Sequence, residues 1–145
     1  MVFDRARIAT LIPHAGAMCL LDQVTHWSED TVRCVSRRFR GRDNPLRRGD
    51  GSLGAACGIE IAAQAMAVHG RLVTGSDAAP VQGYLASVRD VRLTRPGLDD
   101  ASGDLIIDAE RLMGDDSGAT YRFTVTDGGA VLLEGRATVL FEVVP

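Results

Sequence analysis

The sequence has no excess of positive charge. Its 16 basic residues are outnumbered by 19 acidic ones, for a net charge of −3 with His neutral. A nucleic-acid binder needs a basic face, so no nucleic-acid partner is expected. There is no long hydrophobic run either. The uncharged stretch from Ile8 to Leu21 is broken by Pro13 and Gly16 and falls short of the roughly 20 apolar residues that a helical span requires. Cysteine is scarce: Cys19, Cys34 and Cys57 are an odd number, and no pair has metal-ligand spacing. Neither a disulfide framework nor a metal site is expected, and the three thiols read as small buried hydrophobes. Asp4, Arg5 and Arg7 stand near the N-terminus with no cleavage pattern after them. No export signal is read, and a reducing cytoplasm is the expected setting.

What is present is an ordinary globular mixture, 46% apolar and 24% charged, which argues against wholesale disorder. A length of 145 residues fits one domain, residues 1–145, with a core large enough to need no staples. No repeat, low-complexity tract or linker divides it.

Ile8 to Ile12 is a short apolar piece stopped by Pro13. Residues 18–27 and 31–39 read as strands, the second with the clearer alternation. Residues 40–52 are a loop by composition, and Ser52 is placed to cap a helix that starts just after it. Leu53 to Gly70 is apolar on nearly all sides and rich in Ala and Gly, the pattern of a helix buried all round. Gly70 reads as its C-terminal stop. Four strand-like runs come next, at 81–93, 104–112, 119–126 and 131–144, and they are expected to form a meander. Asp127-Gly128-Gly129 is a strong hairpin turn. Strands gathered around one helix predict an α+β fold, one antiparallel sheet burying its inner face on that helix. Such a sheet leaves edges open, and open edges invite pairing. Residues 81–93 are the expected edge, and a two-fold dimer is the expected assembly.

Within the helix only Glu60, Gln64 and His69 are polar. Glu60 and Gln64 are four apart and share a face. A carboxylate among Ile59, Ile61, Ala62 and Ala63 is costly to leave unpaired, and desolvation favours its neutral form, which suits a general acid or base. The other reading is a Glu paired with an Arg across a dimer interface. His14, in Ile12-Pro13-His14-Ala15-Gly16, is a candidate base, or else a residue that ties its loop to backbone. His26 reads as a solvent-facing strand residue and His69 as a helix-end residue near the C-terminal dipole. The glycines show no phosphate-loop spacing, and no cofactor is expected. The dense group Arg37, Arg38, Arg40, Arg42, Arg47 and Arg48 is either a solvated face or a contact for an acidic carrier protein.

Three stretches carry a resemblance. Ile12-Pro13-His14 with Met18 to Val24, then Glu60-Ile61-Ala62-Ala63-Gln64-Ala65, then Tyr84 to Leu93 with Arg95-Pro96 resemble, in that order, motifs of the FabZ-type 3-hydroxyacyl-acyl-carrier-protein dehydratases. Gly58-Ile59-Glu60 with Gly83-Tyr84-Leu85-Ala86 is most similar to the dehydratase-like proteins of aryl polyene clusters.

The resemblance implies a hotdog fold, with two subunits sharing one continuous sheet, and acyl thioesters on acyl carrier protein as substrates. It implies loss of water between carbons two and three, with the helix Glu working beside a His of the other subunit. It also implies that amides near Gly54 and Ala55 polarise the thioester carbonyl, with Gln64 among the substrate-binding residues. One departure stands out: residues 44–51, where the FabZ type carries its catalytic His, contain no His here. That leaves His14 as the expected partner of Glu60. The rival readings are a hotdog thioesterase, with Glu60 activating water, and an acyl-binding partner subunit whose site is completed by another hotdog chain.

Overall fold

The computed structural model describes residues 3–12, 16–74, 81–95, 97–98, 101, 103–115 and 117–143. In chain order these form β1 (Phe3–Asp4), α1 (Arg5–Leu11), β2 (Gln23–Trp27), β3 (Thr31–Ser36), α2 (Ala55–Thr74), β4 (Val81–Leu93), β5 (Leu105–Asp115), β6 (Gly118–Asp127) and β7 (Ala130–Val143), with 3-10 turns at Gly16–Met18 and Arg38–Arg40. The strands make one seven-stranded sheet in the order β1-β2-β3-β5-β6-β7-β4, every neighbouring pair antiparallel.

Period-two alternation sets the inner face. Leu105, Ile107 and Ala109 of β5, Ala119, Tyr121, Phe123 and Val125 of β6, and Leu133, Ala137 and Val139 of β7 are buried. They form one core cluster with Cys57, Ile61, Ala62, Ala65, Met66 and Val68 of α2. This apolar burial is the main term holding helix to sheet. Gly58 explains how closely the two layers approach, since a Cβ there would run into the Leu133 side chain of β7. The hairpin between β6 and β7 closes on Gly128 (φ 58°) and Gly129 (φ 89°). Positive φ at both central residues is the two-residue turn that matches strand twist.

The structure departs from the sequence expectations at several points, and the strand expected over 31–39 ends at Ser36. The last four strands are not a meander: β5-β6-β7 are, but β4 pairs with β7 at the far edge. The chain leaves α2 and enters the sheet on the side away from β3, and hydrophobic periodicity does not encode which side that is. The helix spans 55–74, not 53–70. A single Gly inside a helix costs only about 1 kcal/mol, and Leu72 packs on the core beyond it. Ser52 is no cap, because its hydroxyl donates to Asp50 Oδ1 (2.6 Å) and the helix begins three residues later. The strand expected from residue 18 begins only at Gln23.

All three cysteines are buried and free, as expected. Burial, with Asp108 adding to it, pushes the Cys34 thiol up to about 12. No described helix is long and apolar enough to cross a membrane.

Candidate active site

Glu60 sits in the second turn of α2, partly exposed, between buried Cys57 one turn earlier and Gln64 one turn later. It lies roughly 7.5 Å along the helix axis from Ala55, the first helical residue. Amides in the first turn of a helix have no partner four residues back.

Gln64 is fully buried. Its Nε2 donates to Met18 O (2.7 Å) and to Glu60 Oε1 (3.3 Å), and its Oε1 accepts from Leu20 N (2.9 Å). One side chain thus binds the 18–20 segment to the helix and touches the Glu60 carboxylate. Ser36 Oγ donates to Leu20 O (2.6 Å), which completes the backbone pairing of that residue. Arg5 Nη2 donates to Gly16 O (2.7 Å) and Cys19 O (3.3 Å). The chain on either side of residues 13–15 is therefore pinned: Ile12 is buried and donates its amide to Ile8 O, and Gly16 to Leu20 is held by Arg5 and Gln64. His14 itself lies outside the described residues.

Residues 44–51 pass beside the same helix. Asn44 is buried. Its Nδ2 donates to Phe39 O (2.9 Å) and to Cys57 Sγ (3.5 Å), and its Oδ1 accepts from Leu46 N (2.9 Å). Burial pushes the Cys57 thiol up. The Asn44 hydrogen bond and the Arg47 charge oppose that rise, and the Glu60 carboxylate adds to it. Gly54 is buried at the start of α2, bridged to Gly97, and its carbonyl accepts from Cys57 N (3.1 Å). The Arg48 guanidinium occupies the place a Cβ at Gly54 would take.

Most of the basic group between 37 and 48 serves the fold. Arg37 and Arg40 pair with Asp104, and Arg38 pairs with Asp22. Arg47 donates to the carbonyls of Gly41, Gly51 and Arg40.

His26 is exposed, as expected. His69 is not a helix-end residue. It lies five residues before the end of α2, fully buried. Its Nε2 donates to Ser28 O (2.9 Å), and its Nδ1 accepts from the Tyr121 hydroxyl (2.7 Å). Burial holds it below its usual range, so it is a neutral strut between helix and sheet. The sequence reading missed Asn44, Ser36 and Arg5. Only Asn44 carried a local signal, because Asn before Pro favours a side-chain turn onto the backbone two residues on.

A seven-stranded antiparallel sheet packed on one long helix is the hotdog architecture, and the family match that follows makes this chain an acyl-thioester-handling hotdog protein. The particular family comes from comparison: residues 6–142 match the ApeP-like family, ApeP dehydratase, and the chain belongs to it. The dehydratase heterocomplex ApeI:P from Xenorhabdus doucetiae matches at 27% identity and TM-score 0.80, over 93% of this chain and 90% of that one. A thioesterase from Pseudomonas aeruginosa (mutant) matches at 11% identity and TM-score 0.67, covering 99% and 97%. A thioesterase from Haemophilus influenzae matches at 12% and 0.65, covering 99% and 93%. At those identities the two thioesterases share the fold alone. Comparison with curated proteins finds no significant match.

Proposed function

We propose that the protein dehydrates 3-hydroxyacyl groups held as thioesters on acyl carrier protein, during aryl polyene or related fatty acyl assembly in the cytoplasm. The single observation that carries the site assignment is the Gln64 contact to Glu60. A buried amide, locked on both sides by backbone, fixes the carboxyl on a helix turn that also fastens the segment after His14.

The reaction needs two proton transfers at one place. A base takes a proton from carbon two. The electron pair left behind is delocalised onto the thioester oxygen, where the amides near Gly54 and Ala55 stabilise it. The pair then forms the double bond between carbons two and three. The C3–O bond breaks, and an acid delivers a proton to the departing hydroxyl, so one water leaves. Glu60 is the acid in this reading, and imidazole is the base with a suitable pKa. His14 fills that role, in the same subunit or across a dimer. Gln64 holds Glu60 in place. Arg48, over Gly54 at the helix start, supplies positive charge where the acidic carrier and its phosphopantetheine arm arrive.

Assembly runs through β4. Among the described residues this strand is an edge of the sheet, paired to β7 alone, and a second hotdog chain extends the sheet there. That chain is either another copy or a different hotdog subunit. The similarity to a dehydratase heterocomplex supports the second.

The test is to incubate 3-hydroxyacyl carrier protein with the purified protein, alone and with a co-expressed hotdog partner, and to monitor the intact acyl carrier by mass spectrometry. Loss of one water supports the reading. Release of free acid would replace it with thioester hydrolysis. No change in either preparation would leave a non-catalytic acyl-binding subunit.

A further inference from the structure

Three strands carry one short pattern on the face of the sheet turned away from α2: Ser87 and Arg89 on β4, Thr120 and Arg122 on β6, Arg136 and Thr138 on β7. The ladder brings them into register. Thr120 stands opposite Thr138, and Thr138 opposite Ser87; Arg122 stands opposite Arg136, and Arg136 opposite Arg89. The residues between them, Val88, Tyr121 and Ala137, turn inward and pack with the core under α2. The six side chains therefore form two adjoining rows, three guanidiniums and three hydroxyls, with about 5 Å between neighbours across the strands. All three arginines are exposed.

The next row on the same face is balanced in charge. There Arg33 pairs with Asp108 (2.7 Å), and Arg92 stands opposite Glu134. The arginine row is not balanced, and like charges directly opposite one another destabilise a sheet. Arg122 gives Nη1 to Glu110 (3.2 Å). Glu134 and Asp90 border the row, Asp90 at the bulge of β4 with φ 55°. Among the described residues neither forms an ion pair with Arg89 or Arg136, so two positive charges stay unmatched. In the hydroxyl row Thr120 and Thr138 share one hydrogen bond (3.1 Å), which leaves one of their two protons to donate, and Ser87 adds another. A shallow depression of about 590 Å³ opens over Arg92, Arg122 and Arg136, with Asp90 and Glu134 in its lining, and one of about 330 Å³ opens over Thr120 and Thr138.

We propose that these two rows bind a single phosphate group as its dianion, with Arg89 and Arg136 matching its charge and the hydroxyl row donating to its oxygens. The argument is one of charge and donors. A phosphate monoester carries about −1.5 to −2 at pH 7 and presents three strong acceptor oxygens, which fits two unmatched guanidiniums beside a line of hydroxyls. A carboxylate carries one charge and would leave one arginine unmatched. Guanidinium forks suit phosphate geometry, and the chain has no lysine, so all 16 of its basic side chains are arginines. Asp90 and Glu134 repel a polyanion that runs on past the arginines, so the ligand is small: inorganic phosphate, or a phosphate carried by a metabolite. The sheet lies between this site and Glu60, and the proposal stands apart from the dehydration chemistry.

The test is equilibrium dialysis at fixed ionic strength, with radiolabelled inorganic phosphate and with radiolabelled AMP. The proteins are wild type, Arg136→Gln, Arg89→Gln and Arg33→Gln. Arg33 is an exposed arginine of the same face whose charge Asp108 already matches. Wild type and Arg33→Gln are expected to bind one phosphate per chain, saturably. Arg136→Gln and Arg89→Gln should bind about tenfold more weakly or worse, the loss of one hydrogen bond between charged groups. Equal affinity for phosphate and AMP supports the proposal with inorganic phosphate as the ligand, and tighter binding of AMP supports it with a phosphorylated metabolite. Absence of saturable binding to wild type would overturn it. So would unchanged binding by Arg136→Gln and Arg89→Gln, or an equal loss in Arg33→Gln.

Discussion

Gln64 Nε2 lies 3.3 Å from Glu60 Oε1 while its other bonds, to Met18 O and Leu20 N, are 2.7 and 2.9 Å. The shorter contacts set where the amide sits, and the carboxylate is aligned to it. A side chain of this kind acts through its neighbour: it positions Glu60 and fastens the N-terminal segment at the same time.

Gln64→Leu keeps the volume and removes every one of these bonds. It leaves the buried Leu20 amide without its partner, at about 1–3 kcal/mol for a buried group, and the half-buried Met18 carbonyl without its donor. We expect a fall of about 2–4 kcal/mol in unfolding free energy by urea titration. Dehydration should also slow under conditions where the variant remains folded. A variant as stable as wild type would mean the 18–20 segment is held by other contacts.

His69 makes stability depend on pH. Its folded pKa lies below the ordinary value of 6.5 because it is buried, so well above pH 6.5 the ring is neutral in both the folded and the unfolded chain and the group contributes no slope. Below 6.5 the unfolded chain binds a proton that the folded chain resists, and stability falls as pH falls. Thermal melts between pH 8 and pH 5 should show this slope in wild type. His69→Gln should have a lower Tm throughout, since it loses contacts with Tyr121 and Ser28, but a flatter dependence below 6.5.

Gly58→Ala tests the close approach of α2 to β7. A methyl at this position collides with Leu133, and overpacking of this kind costs about 1–3 kcal/mol, more than the helix propensity of Ala returns. Denaturant unfolding should show net destabilisation. A gain in stability would mean that Leu133 moves aside freely.

Much of the fold is legible in the sequence because it is written in local pattern. The inward residues of β5 and β6 alternate cleanly, Gly128-Gly129 can adopt the positive φ their turn needs, and α2 is apolar on nearly every side. The edge position of β4 is legible in its length and β-rich composition, but its pairing with β7 is not. Alternation says which face a strand buries and is silent on which neighbour it meets. His69 misleads for a related reason: its position near Gly70 suggests a helix end, whereas its partners, Ser28 and Tyr121, lie 41 and 52 residues away. The Glu60–Gln64 pair is visible as an i, i+4 spacing. Its attachment to Met18 and Leu20 is not, because backbone acceptors and donors 44 to 46 residues away leave no mark in composition. Asn44 stands in the stretch where the resembling family carries its His, and it holds Cys57 and the loop rather than offering a base.

Glu60 is the residue on which the dehydration chemistry depends most directly. The measurement is the rate at which 3-hydroxyacyl carrier protein loses one water with wild-type, Glu60→Gln and His14→Ala proteins, each shown by circular dichroism to be folded and each assayed with the same hotdog partner. The expected result is a fall on the order of a hundredfold or more for Glu60→Gln, as general acid–base groups typically contribute, and a comparable fall for His14→Ala. A Glu60→Gln protein that dehydrates at the wild-type rate would contradict the account and leave Glu60 a structural residue of the helix.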